Sequence, residues 1–329
     1  MHSTLAAPME ILGAGATFSY PLYSKMFSIY SKNRNIRINY QPIGSGGGIR
    51  QLLNKTVDFG GTDAFMSDRE LKNAENILHI PVCFGAVAIT YNIPGDPDLK
   101  LTPEIIADIF LGKITSWSDE KIREANPGVK LPKLNIIIVH RADASGTTFI
   151  FTDYLSKISP MWKQIAGRGK AVNWPKGLGA KGNEAVSGLV KQLPGSIGYC
   201  ELAYTVQNNM TQARVKNASG KFIKPTLEST IAVKPEKIPP DARISLTNTK
   251  NEKGYPIVGF TWVIIYQKQD YGKRSEEKAG AIVDLLWWMT HEGQKLTTPL
   301  DYAPLPENVV SIAEKMLNSV TCKGKKLRK

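Results

Sequence analysis

The chain has few of the residues from which metal centres and disulfide frameworks are built. Only three of its 329 residues are cysteine (Cys83, Cys200, Cys322), and only four are histidine (His2, His79, His140, His291). Three scattered cysteines make neither a disulfide framework nor a thiolate zinc cluster, and an odd number leaves at least one thiol unpaired within the chain. There is no H-E-x-x-H, C-x-x-C, EF-hand, Walker A or G-x-S-x-G motif. With so few histidines, a Ser-His-Asp hydrolase has few ways to be assembled. No apolar run approaches the ~18 residues needed to span a bilayer. The opening Met1–Pro8 has neither the charged nor the apolar region of a secretory signal, so nothing in it directs export. Aromatic residues do not interleave with the basic clusters, which argues against a single-strand nucleic-acid platform.

What is present is an ordinary globular composition, 42% hydrophobic and 22% charged. Single cores divide beyond ~250 residues, so this length predicts two domains. The net charge of +13 points toward nucleic acid, an anionic surface or a small anion, and its sign does not choose among them. Lys323, Lys325, Lys326, Arg328 and Lys329 crowd the end without an acidic neighbour, which predicts a solvated, mobile tail over 321–329.

Strand-like runs occur at Ile36–Tyr40, Ile77–Val82, Ala86–Tyr91, Leu134–Val139, Ser196–Tyr199 and Phe260–Tyr266. Segments with helical spacing lie between them, such as Tyr23, Met26, Phe27, Tyr30 and Phe151, Tyr154, Leu155, Ile158, and the alternation predicts an α/β architecture. The pattern breaks near Asn92–Pro97 and again over Lys234–Tyr255. An inserted lobe over 92–259 is therefore predicted, inside a discontinuous lobe built from 9–91 and 260–320. Ala86–Tyr91 and Phe260–Tyr266 would be two crossing strands with a cleft between the lobes.

Three segments share one chemical grammar: Gly15-Ala16-Thr17-Phe18, Gly44-Ser45-Gly46-Gly47-Gly48 and Asp143-Ala144-Ser145-Gly146-Thr147-Thr148. Each precedes a predicted helix. The first N–H groups of a helix have no intrahelical partner and carry partial positive charge, so they bind an anion without a cationic side chain. Taken singly, Thr17, Ser45 and Ser145 or Thr147 also fit as plain N-caps. Nothing in the local sequence requires the three segments to meet in space, and the anion reading adds that assumption.

Arg141 follows the apolar run Leu134–Val139, with Asp143 two residues on. A guanidinium suits a tetrahedral oxyanion, and a carboxylate beside it holds it in place; a surface ion pair is the simpler reading. Asp63 either caps a helix around Ser67–Asn73 or faces the cleft, where it repels an oxyanion unless the ligand carries a proton. Gly177-Leu178-Gly179-Ala180-Lys181-Gly182 matches G-x-G-x-x-G, and Glu201 lies at the spacing a dinucleotide site expects. Pro175 and Lys176 stand where the preceding apolar strand should end, so we read a turn followed by Asn183 capping a helix over Glu184–Leu193. His140 reads as a packing residue at a strand end.

Several landmarks together make the chain similar to a known family: Gly13-Ala14-Gly15-Ala16-Thr17-Phe18, Ile43-Gly44-Ser45-Gly46-Gly47-Gly48, Val57-Asp58-Phe59-Gly60, Leu111-Gly112-Lys113-Ile114, Arg141-Ala142-Asp143-Ala144-Ser145-Gly146-Thr147, Trp174-Pro175-Lys176-Gly177-Leu178-Gly179 and Leu300-Asp301-Tyr302-Ala303-Pro304-Leu305-Pro306. From about Ile11 to about Val310 the sequence resembles the phosphate-binding proteins of bacterial high-affinity ABC-type phosphate transporters.

The resemblance implies a two-lobed periplasmic-binding-protein fold (type II) that buries inorganic phosphate in the cleft. It also implies delivery to the membrane subunits of an ABC-type phosphate permease, a monomer, a periplasmic location after export, and neither cofactor nor metal. By matching position, Thr17 and Phe18 would bind phosphate through backbone N–H, Thr17 also through its hydroxyl, and Ser45 would donate from the second loop. Arg141, Ser145, Gly146 and Thr147 would bind from the other lobe, with Asp143 orienting Arg141 and Asp63 accepting the proton of the ligand. Gly46 and Ala144 stand where relatives often have Ser and Gly, and His140 stands where a second Arg can occur. The reading is of a non-enzymatic receptor. The alternative is a phosphatase-like hydrolase on a related scaffold with Ser45 or Ser145 as nucleophile, for which no base or metal cluster is assignable. A basic nucleic-acid-binding protein is a third.

Overall fold

The computed structural model describes residues 7–328 except 33, 73, 75, 236 and 273. Met1–Ala6, Asn73 at the end of the predicted helix and Lys329 of the tail therefore lie outside the described residues.

Eight strands share one sheet: β1 (Met9–Gly15), β2 (Ile36–Pro42), β3 (Phe59–Thr62), β4 (Ile77–Tyr91), β5 (Ile137–Arg141), β6 (Leu178–Ala180), β7 (Ser196–Glu201) and β8 (Val258–Tyr266). Their order is β2-β1-β3-β8-β4-β7-β5-β6. Parallel pairs occupy both flanks, β2 and β3 on β1, and β6 and β7 on β5. In the middle β8 runs antiparallel to β3 and β4, and β4 antiparallel to β7. The runs read as Ile77–Val82 and Ala86–Tyr91 are one strand of 15 residues. Its first part pairs with β8 and Val87–Tyr91 pairs with β7, so this strand joins the two halves. The register slips between Thr261 and Trp262, opposite Pro81, which has no N–H to give to the ladder. All nine residues of β8 are buried, as a strand covered on both faces requires.

Helices pack on this sheet by the apolar faces the spacing predicts. Helix α1 (Tyr20–Ser31) buries Tyr23, Met26, Phe27 and Tyr30. Helix α2 (Ser45–Leu53) follows β2, and α3 (Asp68–Lys72) follows β3. Beyond β5 lies α4 (Gly146–Ile158), which buries Phe151, Tyr154 and Leu155, with Ile158 partly buried. Helices α5 (Gly182–Gln192) and α6 (Leu202–Gln207) follow β6 and β7. Strand β5 begins at Ile137 rather than Leu134.

The C-terminus departs from expectation. After α7 (Glu276–Thr290), the segment read as a mobile tail forms a hairpin of β9 (Thr321–Cys322) and β10 (Lys325–Lys326). Arg328 lies 3.9 Å over the Trp287 ring and pairs with Asp284 at 2.7 Å, both on α7, and Cys322 is buried. Charge counting within the segment misses this because its anchors are a buried thiol side chain and an aromatic ring and carboxylate on another element. All three cysteines are free and buried, so Cys83 and Cys200 do not pair.

Removing residues 321–329 uncovers the Cys322 site and the Trp287 face, and is expected to lower unfolding stability by ~2 kcal/mol in urea titration. An unchanged midpoint would restore the solvated-tail reading.

Candidate functional site

Strands β1, β2 and β3 run together and β5 runs opposite to them, but the two flanks pair along different lengths of the long strand β4, so the carboxyl ends of β1, β2, β3 and β5 face one another and the loops leaving them gather at one place. Gly15 ends β1 at φ +145°, and a Cβ there would lie 2.0 Å from the Gly61 carbonyl oxygen, so only glycine brings Thr17 this close to β3. Ser45 opens α2, Asp63 follows β3, Arg141 ends β5, and Ser145 is the N-cap of α4.

These residues converge and are buried. Ser45 Oγ donates to Asp63 Oδ2 at 3.3 Å and accepts the Asp63 N–H at 3.1 Å, and Thr261 from the middle of β8 donates to Asp63 Oδ1. The Arg141 side chain, 1% exposed, grips Asp143 with two bonds, Nε to Oδ1 at 2.7 Å and Nη2 to Oδ2 at 2.5 Å. Its Nη1 donates to Thr147 Oγ1 at 3.3 Å. Asn183 joins the halves: its Nδ2 donates to Thr17 Oγ1 at 2.9 Å and to Thr147 Oγ1 at 3.2 Å. Gly146 lies against Ser45 and Asp63, where a Cβ would fall 2.4 Å from Ser45 Oγ. By helix geometry, the Gly146 and Thr147 N–H groups are the first-turn donors of α4, because Ser145 Oγ and the Ser145 carbonyl already take those of Thr148 and Phe149. The halves touch: the Gly46 N–H donates to the Ala144 carbonyl at 2.8 Å, and Lys170–Glu70 (2.6 Å) and Arg243–Asp68 (2.8 Å) bridge the rim.

Two carboxyls are held in opposite states. Burial pushes Asp63 up to about 7, against the lowering by Thr261, Arg141 and Ser45. Burial also pushes Asp143 upward, but its bonds and attraction to Arg141, with the Gly182 N–H, hold it below the usual carboxylate range. Asp143 thus keeps the guanidinium fixed, while Asp63 is a carboxyl that exchanges a proton near neutral pH. Among the described residues no group of three or more His, Cys, Asp or Glu is placed to hold a metal ion.

The helix-cap readings divide. Ser145 caps α4, whereas neither Thr17 nor Ser45 caps the helix that follows it; Thr17 Oγ1 instead accepts the N–H of Asn183 in the first turn of α5 at 3.2 Å. Asp63 does not cap α3; Ser67 does, with Glu70 returning a bond to the Ser67 N–H at 2.8 Å. The Phe18 side chain is buried, and its carbonyl accepts from Tyr302. His140 stacks on Trp174. Asn183 is not a cap: α5 starts one residue before it, and its side chain bonds Thr17, Thr147 and the Glu201 N–H. The G-x-G-x-x-G segment runs through β6, and its last glycine donates its N–H to Asp143 at 3.1 Å. Sequence reasoning missed Asn183 and Thr261. An Asn at a helix start reads as a cap and a Thr inside an apolar run reads as strand, so local pattern carries no signal for either.

The exchanges at Gly46 and Ala144 meet across the halves. A Cβ on Gly46 would lie 2.4 Å from the Ala144 Cβ, so the closed arrangement has room for a side chain at one of the two positions.

The fold and site together define a two-lobed α/β binding protein whose cleft is lined by oxyanion donors. The chain matches the PBP superfamily domain over residues 3–292. It is 41% identical over 318 residues to the phosphate-binding protein PstS of Pasteurella multocida, covering 94% of this chain and 91% of that protein. It is 38% identical to the PstS of Methanocaldococcus jannaschii, covering 93% and 85%. Among solved structures it is similar to a high-affinity periplasmic phosphate-binding protein, PfluDING, bound with phosphate (TM-score 0.73, 21% identity, 93% of each chain). It is also similar to a phosphate-binding protein from Stenotrophomonas maltophilia (TM-score 0.71, 18% identity, 93% of each chain). The chain belongs to the PBP superfamily and, within it, to the family of these phosphate-binding proteins.

Two outcomes follow from this geometry. Asp63 binds its proton more tightly folded, about 7, than unfolded, near 3.8, so its own contribution to folded stability is full below pH ~4 and is lost as pH rises through 7. Asp63→Asn removes that titration: ligand-free Asp63→Asn should melt above wild type at pH 8, by up to about 4 kcal/mol, with the gain vanishing near pH 4. Parallel melting curves would contradict the buried-carboxyl account. Second, Gly46→Ser should hinder closure and weaken ligand binding, and Gly46→Ser with Ala144→Gly should restore it; equal affinity in the single variant would refute the contact.

Proposed function

We propose that the chain is a substrate-binding protein that captures inorganic phosphate in the cleft between its lobes and delivers it to an ABC-type membrane permease. The observation that carries this reading is the convergence of Ser45, Arg141, Thr147 and the start of α4 on the one carboxyl, Asp63, that is poised to share a proton. Thr17, Phe18, Ser45, Arg141, Ser145, Gly146 and Thr147 supply the donors, and Asp143 holds Arg141 from behind. The names of the relatives support the choice of phosphate.

The lobes are 9–91 with 260–320, and 92–259, with β4 and β8 as the crossing strands. Phosphate enters the open cleft, and closure brings the donors of the second lobe onto it. The protein acts as a monomer in the periplasm after export, without cofactor, and performs no chemistry on its ligand. The names of the relatives, phosphate-binding proteins, support a receptor over a phosphatase.

Selectivity follows from charge. Monohydrogen and dihydrogen phosphate donate a proton to Asp63, whereas fully ionised sulfate only repels it.

The test is calorimetric titration of phosphate and sulfate into protein freed of anion by unfolding and refolding. Phosphate should bind with one site and sulfate far more weakly, and Asp63→Asn should narrow the difference. Arg141→Ala should cost ~2–5 kcal/mol, as removal of one partner of a buried charge-assisted contact does. Absence of phosphate binding, or turnover of a chromogenic phosphate ester that Ser145→Ala abolishes, would overturn the reading.

A further inference from the structure

The turn between β1 and α1 is held from behind by two tyrosines. Tyr204, on α6, donates its hydroxyl to the Thr17 carbonyl at 2.6 Å, and Tyr302 donates to the Phe18 carbonyl at 2.6 Å. Each hydroxyl has a carboxyl as a second neighbour: Glu184 Oε1 is 3.0 Å from Tyr204, and Glu201 Oε2 is 3.0 Å from Tyr302. A phenol has one proton, and in both cases the backbone carbonyl is the closer acceptor.

The two pairs differ in where they sit. Glu201 is fully buried, its Oε1 has no partner, and its Oε2 accepts the Ala203 N–H at 2.9 Å. Burial pushes this carboxyl up, with Asp301 and Asp63 adding to it, against the lowering by the Ala203 N–H and the Tyr302 hydroxyl. Tyr302 thus holds Phe18 from within the lobe that carries the turn. Glu184 is exposed, and Tyr204 comes from the facing lobe, so its bond to Thr17 exists only when the lobes meet.

The peptide bonds are trans, so the C=O and N–H of one peptide unit point in opposite directions. The Thr17 carbonyl belongs to the same unit as the Phe18 N–H. A hydroxyl that pulls on that oxygen fixes the direction of the Phe18 N–H and polarises it as a donor.

We propose that Tyr204 is a positioning residue for phosphate: on closure its hydroxyl moves from Glu184 to the Thr17 carbonyl and aims the Phe18 N–H into the cleft, while Tyr302 holds the next peptide unit. This rests on the phosphate reading above. Ligand capture and lobe closure then share one proton's choice of acceptor.

Inorganic phosphate is the probe, with wild type, Tyr204→Phe and Glu184→Ala compared by calorimetry, stopped-flow dissociation and the Phe18 amide resonance at saturation. Tyr204→Phe should weaken binding about tenfold, the scale of one lost hydrogen bond to a buried acceptor, mainly through faster release. Its Phe18 amide proton should move upfield, a change that looser lobe packing alone would not produce. Glu184→Ala, at an exposed position, removes the competing acceptor and should tighten binding about twofold with the Phe18 resonance at its wild-type position. Wild-type affinity or an unshifted Phe18 amide in Tyr204→Phe, or loosened binding in Glu184→Ala, would overturn the proposal. Failure of the wild type itself to bind phosphate would instead remove the reading on which it stands.

Discussion

A carboxyl withdrawn from water, with only hydroxyls in bonding contact, sets the terms for the rest of this site. Asp63 has Ser45 on one oxygen and Thr261 on the other, and Gly146 leaves the space through which the first turn of α4 reaches it. Burial without a paired cation holds its affinity for a proton near neutrality. Arg141, the nearest guanidinium, is already committed on one face to Asp143. The surroundings therefore carry donors for an oxyanion, together with one acceptor that a protonated ligand satisfies.

This arrangement depends on packing that brings backbone against backbone. The turn after β1 approaches β3 because Gly15 has no side chain, and α4 approaches Ser45 because Gly146 has none. Gly46 and Ala144 show the same constraint across the cleft, where two side chains do not fit and one does. Donors of the two halves reach one another only because these contacts are made without intervening atoms. Net charge plays little part: surface and tail carry the cations of the +13 balance, and the tail cation Arg328 is occupied by Asp284 and Trp287.

Much of the fold was legible in the sequence. The apolar faces of α1 and α4, the α/β alternation and the buried character of β8 follow from periodicity, because burial and helix pitch act residue by residue. The single strand from Ile77 to Tyr91 was read as two, with Cys83-Phe84-Gly85 between the runs, although the sheet pairs these three with Thr261, Phe260 and Gly259 of β8. In the hairpin at the C-terminus the charges are local and the anchors are not. Within the site, Thr17, Ser45, Arg141 and Thr147 carried a signal in their helix-start and strand-end context, and Asp63 carried an ambiguous one.

Sequence alone determined which groups were available: hydroxyls and free N–H donors at helix starts, one arginine with its aspartate, and glycines where the chain must come close. Tertiary structure decided which of them meet. Asn183 became a bridge between Thr17 and Thr147 instead of a cap, Thr261 became a partner of Asp63 instead of a strand residue, and Tyr204 reached a carbonyl 187 positions away. The physical reason is that propensity and capping act over a few residues along the chain. The state of a carboxyl and the direction of an N–H are set by whatever packs against them, and the sheet delivers those neighbours from distant parts of the sequence.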